Sequence, residues 1–238
     1  MDNLENMELL AGKAREAHLT RQMDLLPRHL TEKPIIVIDA GAVGGELVLK
    51  LAKMGFDDIT VYDDDRVDIE NLSCSIYPES AVGQLKVTAL ASLVRDFTGV
   101  EIRTHEERLE DHSDFQSLSG AVICAVDSMA ARSLIWERIK YKVAVDLYID
   151  PRMGAESAQI HALKPGRAGA AETYEATLYS DDNAVREPCT AKATMYCAGG
   201  LVSNIIAVVK AHLTGAPYPS FSALHFGAFD AYYCLPTS

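Results

Sequence analysis

The sequence lacks the marks of several classes of protein. Its five cysteines form no CxxC pair and no even-numbered framework, which argues against a zinc site or a disulfide scaffold and predicts a reducing cytoplasm. No Lys/Arg cluster accompanies its 22 basic and 34 acidic residues, so nucleic acid is not an expected partner. The first ten residues, MDNLENMELL, have neither the basic region nor the apolar run of a secretory signal.

A long uninterrupted apolar run is also missing. The most apolar stretch, Ala198 to Leu213, contains Ser203, Asn204 and Lys210, and it therefore predicts a buried helix and no membrane span. The chain has 238 residues, of which 48% are hydrophobic. A chain of this length can bury a full core without disulfides or metals.

A strand, a glycine-rich turn, a helix and a second strand follow one another near residue 35. Ile35–Ile38 follows Pro34, is apolar and β-branched, and predicts a fully buried strand. The apolar residues after Gly41–Gly45 are spaced for one helix face, and Gly55 ends that helix. Ile59–Tyr62 is a second short strand. This βαβ unit predicts the start of a parallel sheet.

Helices and strands continue to alternate along the chain. We expect further helices over residues 85–97, 129–140 and 193–213, and further strands over residues 100–104, 121–126, 143–147 and 159–163. The last of these strands is expected at a sheet edge, a polar loop follows over residues 165–187, and one or two strands close the tail. The predicted class is α/β, with a mostly parallel, helix-flanked sheet and a small antiparallel C-terminal addition.

The N-terminal part is expected to differ from the rest. Residues 4–17 predict an exposed amphipathic helix, and residues 18–27 an arm that leads to the first strand. We therefore divide the chain into an N-terminal helix and arm, residues 1–30, and a nucleotide-binding domain, residues 31–238.

Gly41, Gly44 and Asp63 form a nucleotide-binding pattern that is weak by itself. A strand followed by G-x-x-G and a helix places backbone N–H groups and the positive helix end against phosphates. An acidic residue that closes the second strand suits a ribose hydroxyl. This pattern fits NAD, FAD, S-adenosylmethionine or ATP equally, and it also fits a plain tight turn beside an acidic loop.

Further motifs distinguish these ligands. Asp63-Asp64-Asp65-Arg66-Val67 is followed by Asn71-Leu72 and then by Gly83-Gln84-Leu85-Lys86. In order and spacing, these segments resemble the pattern D-x-D-x-V-x-x-x-N-L followed by V-G-Q-x-K of the ThiF/MoeB adenylyltransferases, relatives of ubiquitin-activating enzymes. The resemblance covers residues 18 to 215, and it includes Arg21-Gln22, Asp127, Arg132 and Cys189-Thr190.

The resemblance implies a Rossmann-like fold, a homodimer and a reaction with ATP. The implied reaction is adenylation of the C-terminal carboxylate of a ubiquitin-like or sulfur-carrier protein that ends in glycine. That carboxylate is already ionised at neutral pH, so no general base is required. The barrier lies in bringing an anion to the anionic α-phosphate, and the protein must supply positive charge, Mg²⁺ and alignment.

The resemblance also implies a role for each matching residue. Gly41 and Gly44 shape the phosphate turn, Asp63 holds the ribose, Asp65 orders the loop beneath it, Asn71 and Lys86 contact the phosphates, Asp127 carries or orients Mg²⁺, and Arg21 comes from the second subunit. Three of these residues have simpler alternatives. Lys86 could be a solvated lysine of an amphipathic helix, Asp127 a helix cap, and Arg21 a surface residue.

Cys189 lies between the polar loop and the last long helix, in Glu187-Pro188-Cys189-Thr190. In the resembling families a cysteine at this place can take the acyl group from the adenylate as a thioester, or form a covalent sulfur intermediate. A helix N-terminus nearby favours the thiolate. Many family members adenylate without this cysteine, so the adenylation prediction does not depend on it. Cys124 and Cys197 have apolar surroundings and are expected in the core.

The sequence departs from the family pattern at two positions near the phosphates. Asp39 stands where the first glycine of G-x-G-x-x-G is expected, and Cys74 replaces an arginine. Arg66 and Arg152 are the candidates to compensate for that arginine. The family's tetracysteine zinc site is also missing. These departures leave a nucleotide-binding pseudoenzyme scaffold as the alternative function, with an NAD-dependent oxidoreductase as a further one.

Overall fold

The computed structural model describes residues 19–167, 169–179 and 193–235. Its helices are α1 (Arg28–Thr31), α2 (Ala42–Lys53), α3 (Lys86–Thr98), α4 (Met129–Ile139), α5 (Ala170–Glu175) and α6 (Met195–Leu213). Its strands are β1 (Ile35–Ile38), β2 (Ile59–Tyr62), β3 (Arg103–His105), β4 (Gly120–Cys124), β5 (Val145–Gly154), β6 (Ser157–Leu163), β7 (Phe221–His225) and β8 (Asp230–Cys234). The helix predicted over residues 4–17 lies outside the described residues.

The eight strands form one sheet in the order β3-β2-β1-β4-β5-β6-β7-β8. The five strands from β3 to β5 pair in parallel, and the remaining pairs, from β5 to β8, are antiparallel. The predicted mostly parallel sheet with an antiparallel addition is confirmed. The edge position predicted for residues 159–163 is wrong, because β7 and β8 continue the sheet beyond β6.

Helices cover both faces of the parallel strands, which explains why β1 is apolar at every position. Ile35 and Val37 face the core that includes buried residues of α2, α3 and α6. Ile36 and Ile38 face the opposite core, which includes buried residues of α4. Successive side chains of a strand point to opposite faces, so a strand covered on both sides needs no polar position.

Helix α6 packs against the sheet along one face, as the apolar stretch predicted. Its buried residues include Cys197, Leu201 and Ile205, which join the core on the α2 side of the sheet. Cys124 of β4 is buried on the other side, so both cysteines expected in the core lie there. With a mean hydropathy of 1.3, α6 also meets the length and composition criterion for a membrane-spanning helix, a criterion that core helices meet as well.

The arm before β1 is tied to the C-terminal end of α2. The Gln22 side-chain amide donates a hydrogen bond to the Met54 carbonyl over 2.6 Å. Leu19 packs over Gly55, whose φ of +98° is the left-handed conformation that favours glycine after a helix. Leu26 belongs to the main core. The arm and the sheet therefore share one core, and the division at residue 30 stays a prediction about sequence organisation.

Candidate functional site

The carboxyl ends of β1 and β2 bring three carboxylates together. Asp39 directly follows β1, and Asp63 directly follows β2, with Asp65 two residues beyond. One carboxylate oxygen from each of these residues lies within 4.8 Å of the others. Parallel strands end at the same edge of the sheet, and this edge is where open α/β sheets bind ligands.

Asp63 holds the turns that follow both strands. Its Oδ2 accepts a hydrogen bond from the Ala40 N–H over 2.7 Å, and its Oδ1 accepts one from the Asp65 N–H over 2.7 Å. The side chain is buried, so these two bonds fix the carboxylate that the sequence assigned to the ribose. Both oxygens lie among backbone amides at the ligand-binding edge, the position expected for a ribose-binding acid.

Lys86 supplies the positive charge of the cluster. Its Nζ lies 2.9 Å from Asp65 Oδ2 and 3.7 Å from Asp63 Oδ2, and the side chain is buried. Burial acts to lower the pKa of Lys86, but the hydrogen bond to Asp65 and the neighbouring carboxylates outweigh it, and the pKa is raised. The same hydrogen bond lowers the pKa of Asp65. The alternative of a solvated lysine is wrong.

A short ladder explains why the two motifs occur together. The Val67 N–H donates to the Gln84 carbonyl, the Gly83 N–H to the Val67 carbonyl and the Lys86 N–H to the Asp65 carbonyl, each over 2.9 Å. The D-x-D-x-V and G-Q-x-K segments therefore pair along their backbones. This pairing places the first residue of α3, Lys86, directly beneath the acidic loop.

The phosphate turn differs in detail from the prediction. The helix already begins at Ala42, so Gly44 lies in its first turn and only Gly41 precedes it. A Cβ on Gly44 would lie 1.9 Å from the Asp39 carbonyl oxygen, and this close approach of helix and strand requires glycine. The first intrahelical hydrogen bond runs from Gly45 N–H to the Gly41 carbonyl, 3.0 Å. The amides before it are the group that binds anions at a helix start.

Asp39 is accommodated in this turn at a left-handed φ of +79°, where glycine is favoured and aspartate is one of the better-tolerated alternatives. Its Oδ2 accepts a hydrogen bond from the Gly41 N–H over 3.1 Å. Burial, followed by the charge of Asp63, raises the pKa of the Asp39 carboxyl to about 7. Tyr77 closes the turn from below by donating to the Ala40 carbonyl over 2.6 Å.

Asn71 and Cys74 lie on the segment beyond the acidic loop. Asn71 ends a short 3-10 helix and is half-buried, and its backbone carbonyl accepts a hydrogen bond from the Cys74 thiol over 3.5 Å. Of the two candidates to replace the missing arginine, Arg66 donates to the Gly83 carbonyl over 2.9 Å. Arg152 is held by Asp150 and Thr177. Both guanidinium groups are therefore engaged with other partners.

Asp127 is exposed in the bend after β4, at the same edge of the sheet. The cap of α4 is the next residue, Ser128, whose hydroxyl accepts a hydrogen bond from the Ala131 N–H over 3.3 Å. The alternative of a plain helix cap at Asp127 is therefore wrong. One exposed carboxylate at this edge suits Mg²⁺, which usually takes one or two carboxylates together with substrate phosphates. The Asp39–Asp63–Asp65 group does not, because the Lys86 ammonium already lies within it.

Arg108 is a site residue that the sequence reasoning missed. It follows β3, and its guanidinium lies 3.2 Å from Asp64 and 3.4 Å from Asp65. Its pKa is raised, first by the hydrogen bond to Asp64 and in smaller part by the charge of Asp127. Arg108 therefore pairs with the loop that follows β2, and the charge of Asp127, after β4, also acts on it. The rule that ligands bind at the carboxyl edge would have found it, had the loop after β3 been considered.

Arg21, which the sequence assigned to the site, lies apart from this cluster. Arg21 is exposed on the arm, beside the C-terminal end of α2, whereas the phosphate turn is at its N-terminal end. A 12-residue helix is about 18 Å long, so Arg21 does not join the site of its own chain. Cys189 lies outside the described residues.

A second buried ionic cluster is centred on Asp150 of β5, and the sequence did not predict it. Asp150 is fully buried, and Arg132 and Arg152 approach its two oxygens over 2.7 and 2.8 Å. Tyr174 donates to the same carboxylate over 2.9 Å. Beside this cluster, burial lowers the pKa of His161 to about 4. The cluster ties α4 and α5 to the sheet.

A model of one protein family matches most of the chain. The ThiF family model aligns with residues 15–225. A catalytic subunit of the NEDD8-activating enzyme E1 from Caenorhabditis elegans is 37% identical over 109 residues, or 44% of this chain and 25% of its own length. The adenylyltransferase and sulfurtransferase MOCS3-2 from Zea mays is 30% identical over 112 residues, 45% of this chain and 23% of its own length.

Solved structures share the fold across almost the whole chain. A crystal structure of Escherichia coli MccB with ATP has a TM-score of 0.71 at 16% identity, and the match covers 90% of this chain and 69% of that one. A structure of MccB with the MccA variant N7isoASN has a TM-score of 0.76 at 14% identity, with 91% and 70% covered. The curated relatives are longer, and the chain spans about a quarter of their length. The family model, which takes in every element from α1 to β7, establishes that the chain belongs to the ThiF family.

Proposed function

We propose that this chain uses ATP to adenylate the C-terminal carboxylate of a ubiquitin-like or sulfur-carrier protein. The observation that carries the proposal is the convergence of Asp63, Lys86 and the start of α2 at one edge of the parallel sheet. A family relative is named as an adenylyltransferase, and a structure of the same fold is described with ATP. These residues suit a nucleotide: an acid for the ribose, free helix amides for phosphate and a buried cation between them.

The residues of the site act by binding and alignment. Asp63 fixes the ribose end of ATP, and the first-turn amides of α2 receive phosphate oxygens. On binding, Lys86 exchanges part of its contact with Asp65 for the phosphates, which lowers the repulsion between the attacking carboxylate and the α-phosphate. We assign Asn71 to a further phosphate contact.

Asp127 is the residue we assign to magnesium. Its exposed carboxylate follows β4, and its charge acts on Arg108, which pairs with the acidic loop. Bound Mg²⁺ would neutralise the leaving pyrophosphate. Substitution of Asp127 by Asn should therefore raise the Mg²⁺ concentration needed for half-maximal activity while the fold stays intact. An unchanged magnesium requirement would exclude Asp127 as a ligand.

Pyrophosphate exchange tests the proposal directly. The purified chain, ATP-Mg²⁺ and a carrier that ends in glycine should exchange labelled pyrophosphate into ATP, and a carrier without its last residue should not. ATP binding without exchange for every carrier would instead favour the alternative, a nucleotide-binding scaffold. That alternative is supported by Asp39 and Cys74, which replace a glycine and an arginine of the family pattern. Binding of NAD in place of ATP would favour an oxidoreductase.

A groove beside the closing strands is our candidate for the carrier. It has a volume of about 740 Å³ and is lined by aromatic residues that include Tyr196, Phe226 and Phe229. His225, which lines the groove, pairs with Ser157 at the start of β6, and β6 runs antiparallel to β5. The groove therefore lies at the carboxyl edge of the parallel strands, as the proposed nucleotide site does. From β1 to β7 is four strand spacings, about 19 Å, which an extended tail of about six residues can span. Replacement of Phe229 by Ser should raise the KM for carrier and leave the KM for ATP unchanged.

We propose Cys189 as the acceptor of the activated acyl group. A Cys189→Ala variant should still exchange pyrophosphate in the presence of carrier but form no thiol-sensitive adduct. Non-reducing electrophoresis after incubation with carrier and ATP is the measurement. An adduct that persists in the alanine variant would exclude Cys189.

We also propose a cytoplasmic homodimer in which Arg21 completes the partner's site. Arg21→Ala and Lys86→Ala should each be inactive, because each removes one half of a composite site. In a heterodimer of the two variants, one site lacks both residues and the other is intact, so up to about half of the activity should return after subunit exchange. If no activity returns although mass spectrometry verifies subunit exchange, Arg21 takes no part in the reaction. Fractionation of the host cell tests the location.

A further inference from the structure

Asp39 occupies part of the anion-binding turn with its own carboxylate. The side chain folds back over the start of α2, and its Oδ2 accepts the Gly41 N–H over 3.1 Å. A Cβ on Gly41 would come within 2.9 Å of that oxygen, which shows how closely the carboxylate covers the turn. An incoming phosphate oxygen and this carboxylate are alternative acceptors for the same helix end.

The neighbours of Asp39 leave the turn with an excess of negative charge. Asp63 reaches it from β2, Asp65 from the loop beyond, and Lys86, from the start of α3, is the cation among them. Tyr77 packs below as a neutral phenol, whose pKa is raised by burial and by the charges of Asp63 and Asp39. With Asp39 ionised, three carboxylates face one ammonium, and a nucleotide would add further negative charge.

We propose that Asp39 is an internal competitor of the nucleotide phosphate, so that ATP binding is coupled to the uptake of one proton by the Asp39 carboxyl. This inference rests on the proposed ATP site. The neutral carboxylic acid no longer repels phosphate and accepts hydrogen bonds only weakly, so it gives up the Gly41 N–H. The burial of the carboxyl next to Asp63 favours this protonation, since it raises the pKa of Asp39 to about 7.

The prediction is a loss of ATP affinity as the pH rises through neutrality. If only the protonated form binds, a pKa of about 7 implies that the Kd for ATP-Mg²⁺ rises about tenfold from pH 6 to pH 8. The matched control is Asp39→Asn, which keeps the size of the side chain, tolerates a left-handed backbone and cannot titrate. Asp39→Gly is a second variant that suits the φ of +79°.

The titration of Asp39 can also be followed without nucleotide, through the pH dependence of stability. The folded-state pKa of Asp39 lies above the value of about 3.9 expected in the unfolded chain, so the contribution of Asp39 to stability is present below about pH 4 and is lost as the pH rises to about 7. Thermal unfolding of the wild type relative to Asp39→Asn should therefore show a midpoint that falls across this window. The asparagine variant provides the baseline for all other groups.

Calorimetric titration with ATP-Mg²⁺ from pH 6 to pH 8, in two buffers of different ionisation enthalpy, decides the question. We expect proton uptake and a pH-dependent Kd in the wild type, and pH-independent binding, tighter than wild type at pH 8, in both variants. Equal pH dependence in the wild type and Asp39→Asn would overturn the coupling while leaving the ATP site in place. Absence of ATP binding in all three proteins at every pH would overturn both the coupling and the proposed function.

Discussion

The molecule contains two ionic clusters, and their composition differs in a way that matters for function. At the edge of the sheet, the Asp39–Asp63–Asp65 carboxylates face one ammonium, that of Lys86. Under β5, a single carboxylate faces two guanidinium groups and a phenol, and it is fully buried. The first cluster is open and carries excess negative charge, whereas in the second every oxygen of Asp150 is engaged.

This difference separates a binding site from a structural support. A saturated buried network fixes one arrangement of the chain, because each of its groups would be left unpaired in any other. An unbalanced cluster at a ligand-binding edge keeps groups whose contacts can be exchanged for those of a ligand, and perturbed pKa values gather at such places. We therefore expect substitutions in the β5 cluster to change stability, and substitutions in the edge cluster to change nucleotide binding.

The largest effect is expected at Asp150. Asp150→Ala leaves the buried guanidinium group of Arg132 and the half-buried one of Arg152 without their carboxylate, and breaking a buried pair in this way costs about 3–5 kcal/mol of unfolding free energy. Chemical denaturation with urea measures it. The control is Asp111→Ala, which removes the partner of Arg138 in an exposed pair and should cost below about 1 kcal/mol. Similar losses in the two variants would show that the β5 cluster stabilises the fold no more than an exposed ion pair does.

At Lys86 we expect the largest effect on activity, although the change in free energy is smaller than that at Asp150. Lys86→Ala removes the buried cation of the edge cluster, and loss of one such group costs about 100- to 1000-fold in rate. Pyrophosphate exchange with carrier and saturating ATP is the measurement. Lys86→Arg should recover part of the activity, and Lys33→Ala, an exposed residue before β1, should behave as the wild type. Full activity of Lys86→Ala would contradict the assigned role.

The smallest effect is expected at Arg108, which belongs to the edge cluster but is largely exposed. Arg108→Ala removes a permanent positive charge beside Asp64 and Asp65, so ATP-Mg²⁺ should bind more weakly by about two- to fivefold, as for an exposed pair worth below about 1 kcal/mol. Salt screens exposed charges, so the difference from the wild type should shrink between about 0.05 M and about 1 M NaCl. A difference that is independent of salt would show that Arg108 makes a buried contact instead.

Much of the fold followed from local pattern. The apolar runs at β1 and β2 predicted both strands with their observed bounds, because a strand covered on two faces has an unbroken apolar signature. Helix α6 and the closing strands were also predicted in the right order. The position of β6 inside the sheet was not predicted. The neighbours of a strand depend on how distant segments pair, and they leave little trace in the strand's own residues.

Some residues of the candidate site could likewise be predicted from the sequence, and others were not. Asp63, Lys86 and the glycines could be predicted because fixed motif spacing brings each of them to the same edge of the sheet. Arg108 and Asp150 were not predicted, because neither is part of a motif and their partners Asp64 and Arg132 lie far along the chain. Asp39 was recognised as a departure, but its hydrogen bond to Gly41 depends on a left-handed backbone.

The sequence by itself determined the α/β class, the family and the motif residues of the proposed nucleotide site, because periodicity and motif spacing are local properties of the chain. Only the tertiary structure decided the charge balance of that site, namely that Lys86 lies among the carboxylates, that Asp39 covers the helix start and that Arg108 stands at the rim. The physical reason is that Coulomb interactions and burial depend on distance in space, which folding sets for residues that are far apart in sequence.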